Sequence, residues 1–233
     1  MRRVHLPAMS NPTRTLALVT SGLMASAMAL AGCSSDGPAY PDADIAKVAQ
    51  LKSSFGPEFK VSEVAPTGID PKLLSPQKLP EGVKFEPADC AKFAEGQQFP
   101  PGLQGNMAAT AAEGEGNRFI VMAVETSEPV PLSDPGDECK RVKFLGTGAR
   151  GQVDVVESPQ IDDARTVGTH RIIQTMVQGQ PRTGELYNYV ASFDNYMVIV
   201  TANPLVLPDK PVAKVDTERA RELLSAAVAA VRG

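Results

Sequence analysis

Residues 186–193 (LYNYVASF) and 196–202 (YMVIVTA) are rich in Tyr, Val and Ile and are separated by only Asp194 and Asn195. That connection constrains the fold more than any other stretch. Two residues of types that tolerate positive φ close a tight hairpin, so the flanking segments pair antiparallel. Parallel neighbours would need a crossover of about a dozen residues or more. Alternation puts Leu186, Asn188, Val190 and Ser192 on one face and Tyr187, Tyr189, Ala191 and Phe193 on the other. Four more stretches read as strands: 118–125 (RFIVMAVE), 142–145 and 152–157 around a glycine-rich turn, and the β-branched 167–178.

Helices are expected at both ends of this strand-rich region. Asp42 or Asp44 can cap one running to about Phe55, with Ile45, Val48, Ala49 and Leu51 at near-helical spacing before Gly56-Pro57 stops it. Asp216 can cap another, in which Ala220, Leu223, Leu224, Ala227, Val228 and Val231 make one apolar stripe opposite Glu218, Arg221, Glu222 and Ser225. Between Pro57 and Gly116 the frequent prolines and glycines predict short elements and loops. The fold class is therefore α+β: an antiparallel sheet of five to six strands packed with an N-terminal helix and a C-terminal amphipathic helix.

Upstream, Arg2, Arg3 and Arg14 flank or precede an uncharged run over 16–31 that is rich in small residues. This is the layout of a secretory signal, and the run is shorter than the roughly 20 residues that span a bilayer. Leu30-Ala31-Gly32-Cys33 resembles a bacterial lipobox. The resemblance implies that Cys33 becomes the first residue of the mature chain and carries a diacylglyceryl group. Two acyl chains, such as palmitate, anchor a protein stably where one is marginal. The expected organisation is a signal peptide over 1–32, a flexible tether over 33–41 and one extracytoplasmic domain over 42–233, lipid-anchored to the cell membrane.

The 233-residue chain has a net charge of −4, and loss of residues 1–32, which hold three Arg and no acid, takes it to −7. Such a balance excludes a nucleic-acid binder, which needs surplus Lys and Arg against phosphates. Once Cys33 is acylated, Cys90 and Cys139 remain as an even pair in an oxidising compartment, and a disulfide is the natural reading. Metal ligation fits poorly, because the mature chain holds one histidine, His170, and a structural zinc site takes about four Cys or His ligands.

Other motifs carry little chemistry. Gly146, Gly148 and Gly151 match GxGxxG in letters, yet they run into a strand pattern where a phosphate-binding loop needs a helix, so a hairpin and no nucleotide or other cofactor is expected. His170 is the one imidazole available as a general base, but it lies inside a strand pattern without a GxSxG elbow, and no catalytic residue is assigned. Asp162-Asp163 and the Asp134, Asp137, Glu138 group lack EF-hand spacing and read as solvated turns, so no metal is expected. The Tyr187, Tyr189 and Phe193 face reads as a surface on which a helix packs, with an apolar pocket as the alternative.

With these features in place, the sequence resembles a family of uncharacterised actinobacterial, mainly mycobacterial, lipoproteins over most of residues 68–232. The resemblance rests on Ala88-Asp89-Cys90-Ala91-Lys92, Glu138-Cys139-Lys140-Arg141, the 162–168 stretch (DDARTVG), the 187–201 hairpin and the alanine-rich helix ending at Arg232. It transfers no active site. More loosely, the layout is similar to the extracellular sensor domains of mycobacterial Ser/Thr kinases, which carry two disulfides where this chain can form one. The resulting expectation is a non-enzymatic, membrane-anchored domain that binds a ligand or partner at the cell envelope. A lipid or glycolipid carrier with a cavity between sheet and helix is the alternative, and an envelope hydrolase using His170 a third.

Overall fold

A computed structural model describes residues 40–69, 79 and 82–233. The expected signal peptide, Cys33 and most of the tether lie outside the described residues. The 186–202 hairpin forms as its spacing predicts, with Asp194 at a φ of 47° in the turn. Around it the described residues form nine strands: β1 (Lys60–Gly68), β2 (Lys84–Glu86), β3 (Gly105–Gly114), β4 (Asn117–Thr126), β5 (Arg141–Gly146), β6 (Ala149–Val156), β7 (Arg165–Val177), β8 (Gln180–Phe193) and β9 (Tyr196–Pro204). They make one sheet in the order β1-β3-β4-β9-β8-β7-β6-β5-β2, antiparallel throughout.

The expected count of five to six strands is thus too low. The strands it omits are β1, β2 and β3, all in the stretch expected to hold short elements and loops. β3 (GNMAATAAEG) is alanine-rich, a composition of weak strand propensity. Its Ala108 and Ala112 are nonetheless buried in the core shared with both helices, where larger side chains would hold those helices off the sheet. β1 is an edge strand containing Pro66, and its register slips between Val64 and Thr67, the irregular edge position that tolerates proline.

Both expected helices form. Ile45–Ser54 is a 3-10 helix whose buried Ile45, Val48 and Leu51 recur every third residue, the spacing that eclipses side chains at three residues per turn. Asp44 Oδ1 caps it, accepting from Ala46 N at 2.8 Å. Thr110 Oγ1 of β3 donates to Val48 O at 3.0 Å, satisfying a helix carbonyl inside the core. Thr217–Arg232 is the amphipathic helix, with Asp216 Oδ1 accepting from Arg219 N at 3.0 Å and the predicted six apolar residues buried. Asn117 fixes its start, donating to Lys214 O and accepting from Asp216 N.

The two helices pack together over β3, β4, β9 and the second half of β8. Tyr189, Ala191 and Phe193 face this helical layer, while Val190 points to the opposite side with Met107, Val124 and Met197. β7 and β8 are long, 13 and 14 residues. β8 pairs with β9 only from Tyr187 onward, so its first half extends with β7 beyond the helices.

Candidate functional site: an uncovered sheet face

On the helix side of the sheet, the half made of β2, β5, β6, β7 and the start of β8 is covered by neither helix. Register writes its surface in three cross-strand rows. The outermost is Lys84, Leu145, Arg150, Gln174 and Thr183. The next is Glu86, Lys143, Gln152, Ile172 and Glu185. The innermost is Arg141, Asp154, His170 and Tyr187, which meets the helical layer. Strands lie about 4.8 Å apart and alternate residues about 6.7 Å apart, so five strands and three rows make a face of roughly 19 by 13 Å. The first two rows, Glu185 apart, line an open groove of about 680 Å³.

Its side chains hold one another in place. Arg150 Nε donates to Gln174 Oε1 at 2.7 Å. Asp154 accepts from Arg141 Nε at 2.5 Å and from Gln152 Nε2 at 2.7 Å. His170 Nε2 lies 2.9 Å from Glu185 Oε1, and its ring stacks on Tyr187 with centroids 4.1 Å apart and planes 8° from parallel. Desolvation, with help from the Glu185 carboxylate, pushes the Tyr187 phenol above its ordinary range.

The floor of the groove is set by Gly151, where a Cβ would stand 2.0 Å from the Ile172 carbonyl oxygen and 2.6 Å from the Phe144 ring. No side chain fits there without displacing β7. Beneath, on the opposite face, Val142, Phe144 and Val153 pack against Cys90, Phe93, Ala94 and Cys139. Cys90 and Cys139 are disulfide-bonded, with Cα atoms 5.4 Å apart, as their even count suggests. Arg171 also lies on that side, donating to Ala94 O, and burial pushes its guanidinium down from its ordinary value.

The other sequence candidates resolve into structural parts. The three glycines of GxGxxG sit in the β5–β6 hairpin, whose turn is only Thr147 and Gly148, with Gly148 at a φ of 86° and Gly151 inside a strand. Asp134 ties its own turn through Gly136 N, and Asp137 pairs with Lys140 at 2.7 Å. The layer between sheet and helix, where a carrier would hold its lipid, is filled by Phe119, Tyr189, Leu224 and Val228. Sequence reasoning missed Lys84, Lys143 and Arg150 as neighbours. The signal was the summed register of two pairings, β2 with β5 and β5 with β6, which becomes readable only once β2 is recognised as a strand.

One solved structure shares this arrangement. An X-ray structure of an uncharacterised protein of Mycobacterium smegmatis, the Rv0999 ortholog, is 97% identical, covers 84% of this chain and 100% of its own, and superposes with a TM-score of 0.80. A domain of that extent therefore folds without the remainder of the chain. The extracellular domain of PknH from Mycobacterium tuberculosis is 14% identical over 80% of this chain and 92% of its own, with a TM-score of 0.34. A comparison with curated proteins found no match. Residues 44–232 match the family model described as a domain of unknown function, DUF5642, and the chain belongs to that family.

Proposed function

We propose that this protein is a lipid-anchored, non-enzymatic domain of the cell envelope that binds a partner or ligand on its uncovered sheet face. The observation that carries the reading is that face itself. Half of one sheet surface lacks a covering element among the described residues, yet its polar side chains are fixed by hydrogen bonds within and between strands. A surface already ordered before binding loses less side-chain entropy when a partner arrives. His170, the one candidate base, is held within this ordered face by Glu185 and Tyr187. The lipobox at Cys33 and the Cys90–Cys139 bridge fit an oxidising, extracytoplasmic site.

Two measurements test the two parts of this reading. Cys33→Ala is expected to move the protein from the membrane fraction to the medium, and equal membrane retention would sink the anchor. Amine-reactive labelling of Lys84 and Lys143 is expected to fall several-fold in intact envelope relative to the purified protein. Equal labelling of both lysines in the two states would show that the face stays unoccupied.

A further inference from the structure

We propose that the outer end of this sheet half, formed by the β5–β6 turn and the tip of the β7–β8 hairpin, docks onto an anionic lipid surface. The inference deepens the binding reading by naming the surface that the end of the groove meets. Register brings the two turns together: Ala149 pairs with Thr175, and Met176 N donates to Gly148 O at 3.3 Å. Three large apolar side chains are then left in solvent at one end, Leu145 at 65%, Met176 at 56% and Val177 at 49% exposure. Leu145 and Met176 point to the groove side and Val177 to the other, so the tip is apolar on both faces. Exposed apolar groups gathered at hairpin tips mark interaction surfaces more often than scattered ones do.

The surrounding charges specify the partner. Lys84 and Arg150 flank Leu145 directly across the strands, and Lys143 lies two residues before it on the same face. Arg182 sits opposite Thr175 near the tip. None of these four cations makes an ion pair among the described residues, and Glu86, opposite Lys143, is their one acidic register partner there. An apolar tip ringed by cations without ion-pair partners among the described residues, on a domain whose net charge is −7, is a local patch that matches a bilayer surface. Headgroup phosphates meet the cations, and Leu145, Met176 and Val177 enter the acyl boundary.

This end lies far from the point where the described chain begins. Tyr40, where the described chain begins, donates from its hydroxyl to Asp163 O beside the start of β7. The tip lies past the far end of the same strand, whose 13 residues span about 43 Å at 3.3 Å each. The docking chemistry does not depend on the anchor reading.

The test uses the domain 34–233, which carries no acyl group, and vesicles of equal parts phosphatidylglycerol and phosphatidylcholine. Cosedimentation is expected with these vesicles, to weaken as salt is raised, and to be absent with pure phosphatidylcholine. Lys84→Glu with Arg150→Glu is expected to lower partitioning about tenfold or more, since each cation near an anionic surface contributes on the order of a factor of five. Leu145→Asp with Met176→Asp is expected to abolish it. All four positions are exposed, so unchanged thermal unfolding serves as the folding control. A fluorophore on Met176→Cys should shift to the blue on vesicle binding. No binding, equal binding to both vesicle types, or binding indifferent to the charge reversals would overturn the proposal. In those cases an acidic protein partner becomes the occupant to seek.

Discussion

Replacing Cys90 and Cys139 together with alanine is expected to lower the unfolding free energy by about 4 kcal/mol, the chain-entropy figure for a closed loop of this length. The bridge joins residues 49 apart in sequence, and both partners are buried, Cys90 at 1% exposure. It ties the short helical stretch Ala88–Cys90 and Ala91–Ala94 to the segment that leads into β5. That stretch forms the cover for Val142, Phe144 and Val153, the underside of the groove floor. Without the link, an element of seven residues must stay docked by Phe93, Ala94 and the Arg171 hydrogen bond to Ala94 O, and so small a helix is not stable by itself. Urea unfolding read at constant slope measures the loss as a fall in midpoint. A loss under about 1 kcal/mol would mean that the unfolded chain is already compact enough to gain little from the link. The double substitution matters, since either single variant leaves an unpaired thiol.

The parts of the fold legible in the sequence are those in which burial writes a period. The terminal helix was readable because six apolar residues fall on one stripe behind a capping Asp216, and all six are buried. The β8–β9 hairpin was readable because its Tyr-, Val- and Ile-rich segments are joined by only Asp194 and Asn195. The first half of β8, QPRTG, has no such period. It is exposed on both faces and paired only with β7, so its glycine and proline read as a loop. Gln178 and Gly179, at φ of 51° and 75°, form the turn that the sequence reading placed at the end of a strand. β3 was illegible for the converse reason: every second residue is small because a helix lies against it, and alanines carry no strand signature.

The candidate site was hidden for a related cause. Lys84, Lys143 and Arg150 are far apart in sequence and share no motif. They become neighbours through two pairings, β2 with β5 and β5 with β6. A one-residue slip in either would send one of them to the opposite face. Gly151 was visible as a glycine and was assigned to the loop. Its reason is the close approach of the Ile172 carbonyl from the next strand, which only the register reveals.

Phe119→Ala is expected to cost about 4 kcal/mol, within the range for removing a buried phenyl ring. The ring is 1% exposed on β4, and its cross-strand neighbours are Ala112 and Ala202, neither large enough to move into the space it leaves. Phe55 and Phe59, from the chain just after the N-terminal helix, each lie with centroids 6.2 Å from it. Arg219 of the terminal helix stands over Phe59 at 5.0 Å, so one ring on the sheet carries the junction of both helices. The void opens where two helices and the sheet meet, and closing it would require either helix to move as a body. Urea unfolding again measures the effect, with exposed Leu145→Ala, expected within about 0.5 kcal/mol of the parent, as the control. A loss below about 1 kcal/mol would mean that the helices do collapse onto β4. The same cross-strand row runs from Phe119 through Ala202 and Tyr187 to His170, Asp154 and Arg141. Covered by helices at one end and open at the other, it makes the helical layer the boundary of the binding face. A variant that loosens that layer should therefore also expose Tyr187 and lower its raised phenol pKa, a change that titration of the tyrosine absorbance reads directly.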